Sequence, residues 1–145
     1  MLVNQILAMK GEGEVVTIKP GATVAQAARM LSERRIGAVV VSDDEVTPQG
    51  ILSERDIVRE LGRRGSEVLE LPISDLMTRK VTTCVVAEDA LTVLERMTAG
   101  RFRHLPVVDD EGRMIGLVSI GDAVSARLKQ LAADKDALTG MIMGN

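Results

Sequence analysis

Apolar residues recur along the chain in two alternating rhythms. Val24, Ala27, Ala28 and Leu31 fall at i, i+3, i+4 and i+7, the spacing of one helix face, and Thr23 stands where a capping residue belongs. Residues 36–41 are apolar and β-branched apart from Gly37 and Ala38, which predicts a strand buried on both faces. Short strands are predicted at 15–18, closed by Pro20-Gly21, and at 50–52. Asp43-Asp44 opens the turn before the latter, and a helix over 53–61 is expected to direct Ile57, Val58 and Leu61 inward. The same order then returns: strand 83–86, helix 90–99, strands 104–108 and 114–118, and a helix from 120 to about 135. Residues 62–71 read as a polar, turn-rich connection and 72–78 as a short helical lead-in. The tail 136–145 is weakly patterned and is expected to fray or to serve self-association.

The repetition extends to residue identities. Gly50-Ile51-Leu52-Ser53, then Asp56-Ile57-Val58, matches Gly116-Leu117-Val118-Ser119, then Asp122-Ala123-Val124, 66 positions later. Upstream, Val24 pairs with Leu91, Met30 with Met97 and Val40 with Val107 at a spacing of 67. A one-residue length difference is therefore expected in the loop 42–49 against 109–115. Ile6-Leu7 resembles Leu76-Met77 at a spacing of 70, with a longer Gly-Glu-Gly-Glu turn at 11–14 in the first copy. One strand-helix-strand-strand-helix unit is too small to close a core. Two of them predict an α/β body of two β-α-β-β-α repeats with pseudo-twofold symmetry. The first copy with its lead-in and linker spans 1–72, the second 73–135, and the tail 136–145.

Composition narrows the function. The chain has 145 residues and a net charge of −3, the wrong sign for a generic nucleic-acid binder. One cysteine, Cys84, and one histidine exclude an intrachain disulfide and multi-residue Cys/His zinc sites. Phe102 is the only aromatic residue, so base-stacking platforms are missing. Apolar runs such as Ala38–Val41 fall far short of the ~20 residues that span a bilayer. The N-terminus lacks a basic segment followed by an apolar one, so a cytoplasmic location is expected, with Cys84 reduced and buried. No G-x-x-x-x-G-K-[ST] loop is present and no His or Cys has an acid partner nearby. Glu54 and Glu60 read as solvated helix charges. The expectation is a protein without catalysis.

The strings RIGAVVV (35–41), GILSERDIVR (50–59), LMT (76–78), RHLPVVDDEGRMIGLVS (103–119) and IGD (120–122) resemble a tandem pair of CBS domains, a Bateman module. The resemblance covers nearly the whole chain and occurs twice. It implies adenosine-nucleotide binding in clefts between the repeats (AMP, ADP or ATP, with NAD(H) as a further candidate) and a homodimer. It also implies an effector protein that senses the bound state, with no role for nucleic acid or membrane. A structural or adaptor scaffold with vestigial clefts is the alternative.

Ser53-x-x-Asp56 and Ser119-x-x-Asp122 each follow a strand and open a helix. The arrangement is a capping box, and the same helix N-terminus offers amides and a positive dipole to a phosphate. Resemblance assigns Asp56 and Asp122 to ribose and Ser53 and Ser119 to ribose or phosphate. Arg103 can grip phosphate as a fork, with His104 as a second donor. In the first copy Ile36 and Gly37 are expected at the equivalent positions, with Arg55 inside its Ser-x-x-Asp instead, so the two clefts differ. Pro106 lacks an amide hydrogen and would leave a strand edge open for base recognition. By resemblance Val81 and Thr83 line the second adenine slot, and Val16 and Ala38 the first. Met77 supplies a polarizable wall.

Overall fold

The computed structural model describes residues 1–11 and 15–143. Helix α1 (Val3–Lys10) leads into the first repeat, which comprises β1 (Thr17–Ile18), α2 (Val24–Arg34), β2 (Ala38–Val41), β3 (Gly50–Ser53) and α3 (Glu54–Arg64). Two 3₁₀ turns, Ser66–Glu70 and Ile73–Asp75, connect to the second repeat. There α4 (Ala90–Gly100), β4 (His104–Val108), β5 (Met114–Ser119) and α5 (Ile120–Ile142) follow. β1 runs parallel to β2, β2 antiparallel to β3, and β4 antiparallel to β5.

Local sequence accounts for the helix starts. Thr23, Ser53, Asp89 and Ser119 each accept the N3 amide of the helix they open. β2 is buried at every position, as its unbroken apolar run requires.

Backbone register corrects the expected repeat alignment. Ala38 pairs with Ser53 and Val41 with Gly50, while His104 pairs with Ser119 and Val107 with Gly116. From the helix caps Thr23 and Asp89 onward, every counterpart therefore stands 66 positions later. The spacing of 67 and the one-residue difference in the hairpin loops do not occur. The counterparts of Arg103 and His104 are Gly37 and Ala38, not Ile36 and Gly37; the backbone bonds Glu54 N–H to Gly37 and Ile120 N–H to Arg103 repeat this match.

Four further expectations change. Residues 83–86 do not form a strand, and only Cys84 bridges to Val107. In the first copy Val40 N–H bonds the Val16 carbonyl, but its counterpart Pro106 has no N–H to give. The Val85 amide turns to the Glu88 side chain and the Thr83 carbonyl to Arg96. Val58, 68% exposed, and Leu61 face outward; Ile57 alone of the three is buried. Glu60 is enclosed by Arg59, Arg63 and Arg64 rather than solvated. The chain 136–142 continues α5: no Pro interrupts it, and Ala137, Leu138 and Met141 offset the weaker helix formers Asp136, Thr139 and Gly140. Of the Gly-Glu-Gly-Glu turn, Glu12, Gly13 and Glu14 lie outside the described residues.

Two cores form, and each takes the lead-in segment of the other half. Val3 and Ile6 of α1 are buried with Val93, Met97, Leu105 and Val118 of the second repeat. Val68, Ile73 and Leu76 are buried with Val24, Leu31, Val39 and Leu52 of the first. The docking bonds match at a spacing of 70: Ala90 N–H to Met1 and Val3 N–H to Glu88, against Val24 N–H to Leu71 and Ile73 N–H to Ala22. The Ile6-Leu7 and Leu76-Met77 pairing thus holds in three dimensions. Each lead-in also explains a glycine. A Cβ on Gly116 would lie 2.7 Å from Leu7, and one on Gly50 2.5 Å from the Met77 sulfur.

Candidate functional site

Crossing of the lead-ins places the end of α1 beside the start of α5. The result is a cleft of about 750 Å³ between the halves, within the range of small-ligand sites. One wall carries Val16, Ile36, Gly37 and Ala38 from the first repeat. The other carries His104, Ile115, Gly116, Leu117, Ser119 and Asp122, with Leu7, Lys10 and Gly11 closing one end.

Asp122 is held by its own helix start. The Ser119 N–H donates to Asp122 Oδ2 at 2.9 Å, and the Asp122 N–H donates to Ser119 Oγ at 3.1 Å. Lys10 Nζ donates to the same Oδ2 at 2.8 Å and to the Leu117 carbonyl at 2.7 Å. Oδ1 receives no hydrogen bond among the described residues. Burial raises the Asp122 pKa, but the Lys10 and Ser119 hydrogen bonds outweigh it and leave the carboxyl below its ordinary value. His104 is pushed down from its ordinary value chiefly by burial and next by the Lys10 charge, against the opposing pull of Asp122 and Glu54. Its imidazole is therefore neutral at pH 7, so it offers a single N–H donor rather than a second cation.

Five of the expected residues, Val16, Ala38, His104, Ser119 and Asp122, come together here. Val16 and Ala38 line the Asp122 cleft, whereas they were expected to serve the other one. Arg103 stands outside the lining residues, with its side chain exposed. Pro106 is buried and its carbonyl accepts from the Cys84 N–H, so it presents no open edge. The Thr83 carbonyl is taken by Arg96, and Val81 lies in the preceding turn.

The first-copy box is built differently. Asp56 Oδ2 accepts from the Ser53 N–H and Oγ–H, and Oδ1 accepts from Arg59 at 3.0 Å. Both oxygens are thus engaged, and neither Ser53, Arg55, Asp56 nor Met77 lines the described cavities. Where Lys10 reaches the Leu117 carbonyl by its side chain, the first copy closes the same edge with backbone: Thr78 exchanges both hydrogen bonds with Ile51, the counterpart of Leu117. Lys10 was missed by sequence reasoning. Its one signal was positional, since the spacing of 70 that pairs Ile6 with Leu76 also pairs Lys10 with Lys80.

The CBS-domain family model matches residues 7–63 and again 73–129. A CBS-domain protein of Agrobacterium tumefaciens is 40% identical, with a TM-score of 0.82 over 88% of this chain and 99% of that one. A CBS-domain protein of Pyrobaculum aerophilum, solved with AMP, is 26% identical at a TM-score of 0.73, covering 84% of this chain and 89% of that one. The CBS-domain pair of protein MJ0100, solved with 5′-methylthioadenosine and S-adenosyl-L-methionine, is 26% identical at a TM-score of 0.74 over 93% and 98%. No described helix is long and apolar enough to cross a membrane.

Proposed function

This chain belongs to the CBS-domain family, and we propose that it is a non-catalytic regulatory module that binds an adenosine-containing ligand in the Asp122 cleft and acts as a homodimer. The observation that carries this is Asp122, which lines the largely apolar cleft at the start of α5 and whose Oδ1 accepts no hydrogen bond among the described residues. A carboxylate so placed accepts hydrogen bonds from ribose hydroxyls, as acidic residues do in dinucleotide sites. Adenine would lie between Val16, Ile36 and Ala38 on one side and Ile115 and Leu117 on the other. The helix N-terminus at Ser119, with Lys10, would meet the 5′ substituent. AMP, with which the Pyrobaculum relative was solved, is the first candidate; ADP, ATP and NAD(H) share the adenosine half. The saturated Asp56 favours a structural role for the first-copy box.

Homodimer formation is supported by α5. Val124, Leu131 and Leu138 recur every seven residues, as do Leu128, Lys135 and Ile142, and the two sets interleave at spacings of three and four. All five apolar members are exposed, by 42–76%. A parallel pair would set Lys135 against Lys135 of a second copy. An antiparallel pair avoids this and brings Arg127 toward the second copy's Asp134 at flanking positions, which makes it the favoured arrangement.

Calorimetric titration of AMP into the purified protein tests the binding. Saturable heat in wild type that is lost in Asp122→Ala supports the proposal. The absence of heat and of thermal stabilisation with every adenosine compound overturns it. Purine carried through purification is readily seen, because the chain has neither Trp nor Tyr to absorb in the near ultraviolet.

A further inference from the structure

Charge within the cleft restricts the ligand further. Among the described residues only Lys10 and Asp122 line it with full charges, and they are already bonded to each other. His104, the remaining titratable residue of the lining, is neutral at pH 7. A second cavity of about 520 Å³ adjoins the first through Val15, Val16 and Ile115, on the side given to adenine, and it offers no net positive charge to a phosphate chain either. Its one cation, Arg34, lies with two carboxylates, Asp44 and Glu45. Asp44 stays ionised: hydrogen bonds from the Thr47 and Val46 amides and the Ser42 hydroxyl hold its carboxyl well below the usual range.

We infer that the cleft selects adenosine ligands whose 5′ substituent is uncharged or carries a single phosphate, and discriminates against di- and triphosphates. This rests on the adenosine reading above. When ribose engages Asp122, Lys10 is the one ammonium within reach of a 5′ group, enough to balance one phosphate. Each further phosphate would find no second cation among the residues that line the cleft, and Arg34 of the adjoining cavity is outnumbered by Asp44 and Glu45. Sites that hold triphosphates instead present several convergent cations or a metal.

The test compares 5′-methylthioadenosine, AMP and ATP by calorimetry on the wild-type chain, with and without Mg²⁺. Methylthioadenosine or AMP is expected to bind at least tenfold more tightly than ATP, and methylthioadenosine binding is expected to be insensitive to salt. In Lys10→Gln, AMP is expected to lose affinity and methylthioadenosine to keep it. ATP binding as tight as that of AMP overturns the selectivity and leaves the adenosine proposal standing. Failure of adenosine itself and all three ligands to bind overturns both.

Discussion

Lys10 and Asp122 lie 2.8 Å apart although 112 residues separate them in the chain. The contact exists because α1 is buried in the core of the second repeat, so its last side chain overhangs the first turn of α5. Its side chains remain 40% and 23% exposed, which limits the pair's worth to at most about 1 kcal/mol. Lys10→Gln is therefore expected to shift the unfolding midpoint only slightly. Its effect on AMP should be larger, about tenfold or more, since a charge-assisted contact to phosphate contributes roughly 1.5–3 kcal/mol. Chemical denaturation and calorimetry on the same variant separate the two effects.

The two Ser-x-x-Asp boxes should answer differently to the same substitution. Asp122→Ala removes the free Oδ1 and is expected to cost about 1.5–3 kcal/mol of ligand affinity, against about 1 kcal/mol of unliganded stability from the weakened cap. Asp56→Ala removes a buried carboxylate whose two oxygens are both engaged, by half-buried Ser53 and exposed Arg59. It should cost at least as much stability and leave the tight site intact. Wild-type titration should accordingly show one tight site per chain. Two sites of equal affinity, each lost with its own Asp, would contradict this asymmetry.

Acid should weaken the fold in two steps. The folded His104 pKa is lowered, so the unfolded chain binds a proton first; this leaves stability unaffected above about pH 6.5 and reduces it as pH falls from there through the lower folded value. Asp122 is also lowered, so its contribution is present above about pH 3.9 and is lost only as pH falls through its folded value. Urea midpoints of wild type and His104→Gln at about pH 7 and 5.5 check the first step. The variant should show the smaller change.

What could be read from sequence was what is local. The caps at Thr23, Ser53 and Ser119 and the buried run of β2 depend on neighbours a few residues away, and they form as patterned. The alignment slip between repeats arose because apolar side chains are interchangeable in a periodic match: Val24 paired with Leu91 as plausibly as with Ala90. Only the shared register of Ala38 with Ser53 and His104 with Ser119 resolves it. The crossing of the lead-ins was invisible, because no residue pattern states which half an amphipathic segment covers. Lys10 went unnoticed for that reason, and Val16 and Ala38 were assigned to the opposite cleft.

Glycine substitutions should expose this lead-in docking. A Cβ at Gly116 would meet the end of the Leu7 side chain, which can rotate away toward the cleft. At Gly50 it would meet Met77 and also the Thr78 carbonyl at 3.1 Å, in a segment tied to Ile51 by two backbone bonds. Gly50→Ala is expected to destabilise by about 1–3 kcal/mol, as overpacking does. Gly116→Ala should cost less stability but weaken ligand binding by narrowing the cleft. Thermal melts with and without AMP distinguish the two.

The second match to the CBS-domain family ends at residue 129, so Val124 and Leu128 of the α5 stripe lie within it and Leu131, Leu138 and Ile142 beyond it. Leu131 sits near the centre of that stripe, 47% exposed, with Leu128 and Leu138 on the same face. In an antiparallel pair it would be buried against the same face of a second copy, where a charge has no partner. Leu131→Lys is expected to convert dimer to monomer in light scattering, with the melting temperature of the dilute protein little changed. Reversal of charge at one flanking position, Arg127→Glu, should weaken the dimer, and adding Asp134→Arg should restore it. A parallel pair would show no such rescue, because Arg127 would then face Ala132 of the second copy. A wild-type chain that is monomeric across the accessible concentration range would remove α5 as a self-association surface.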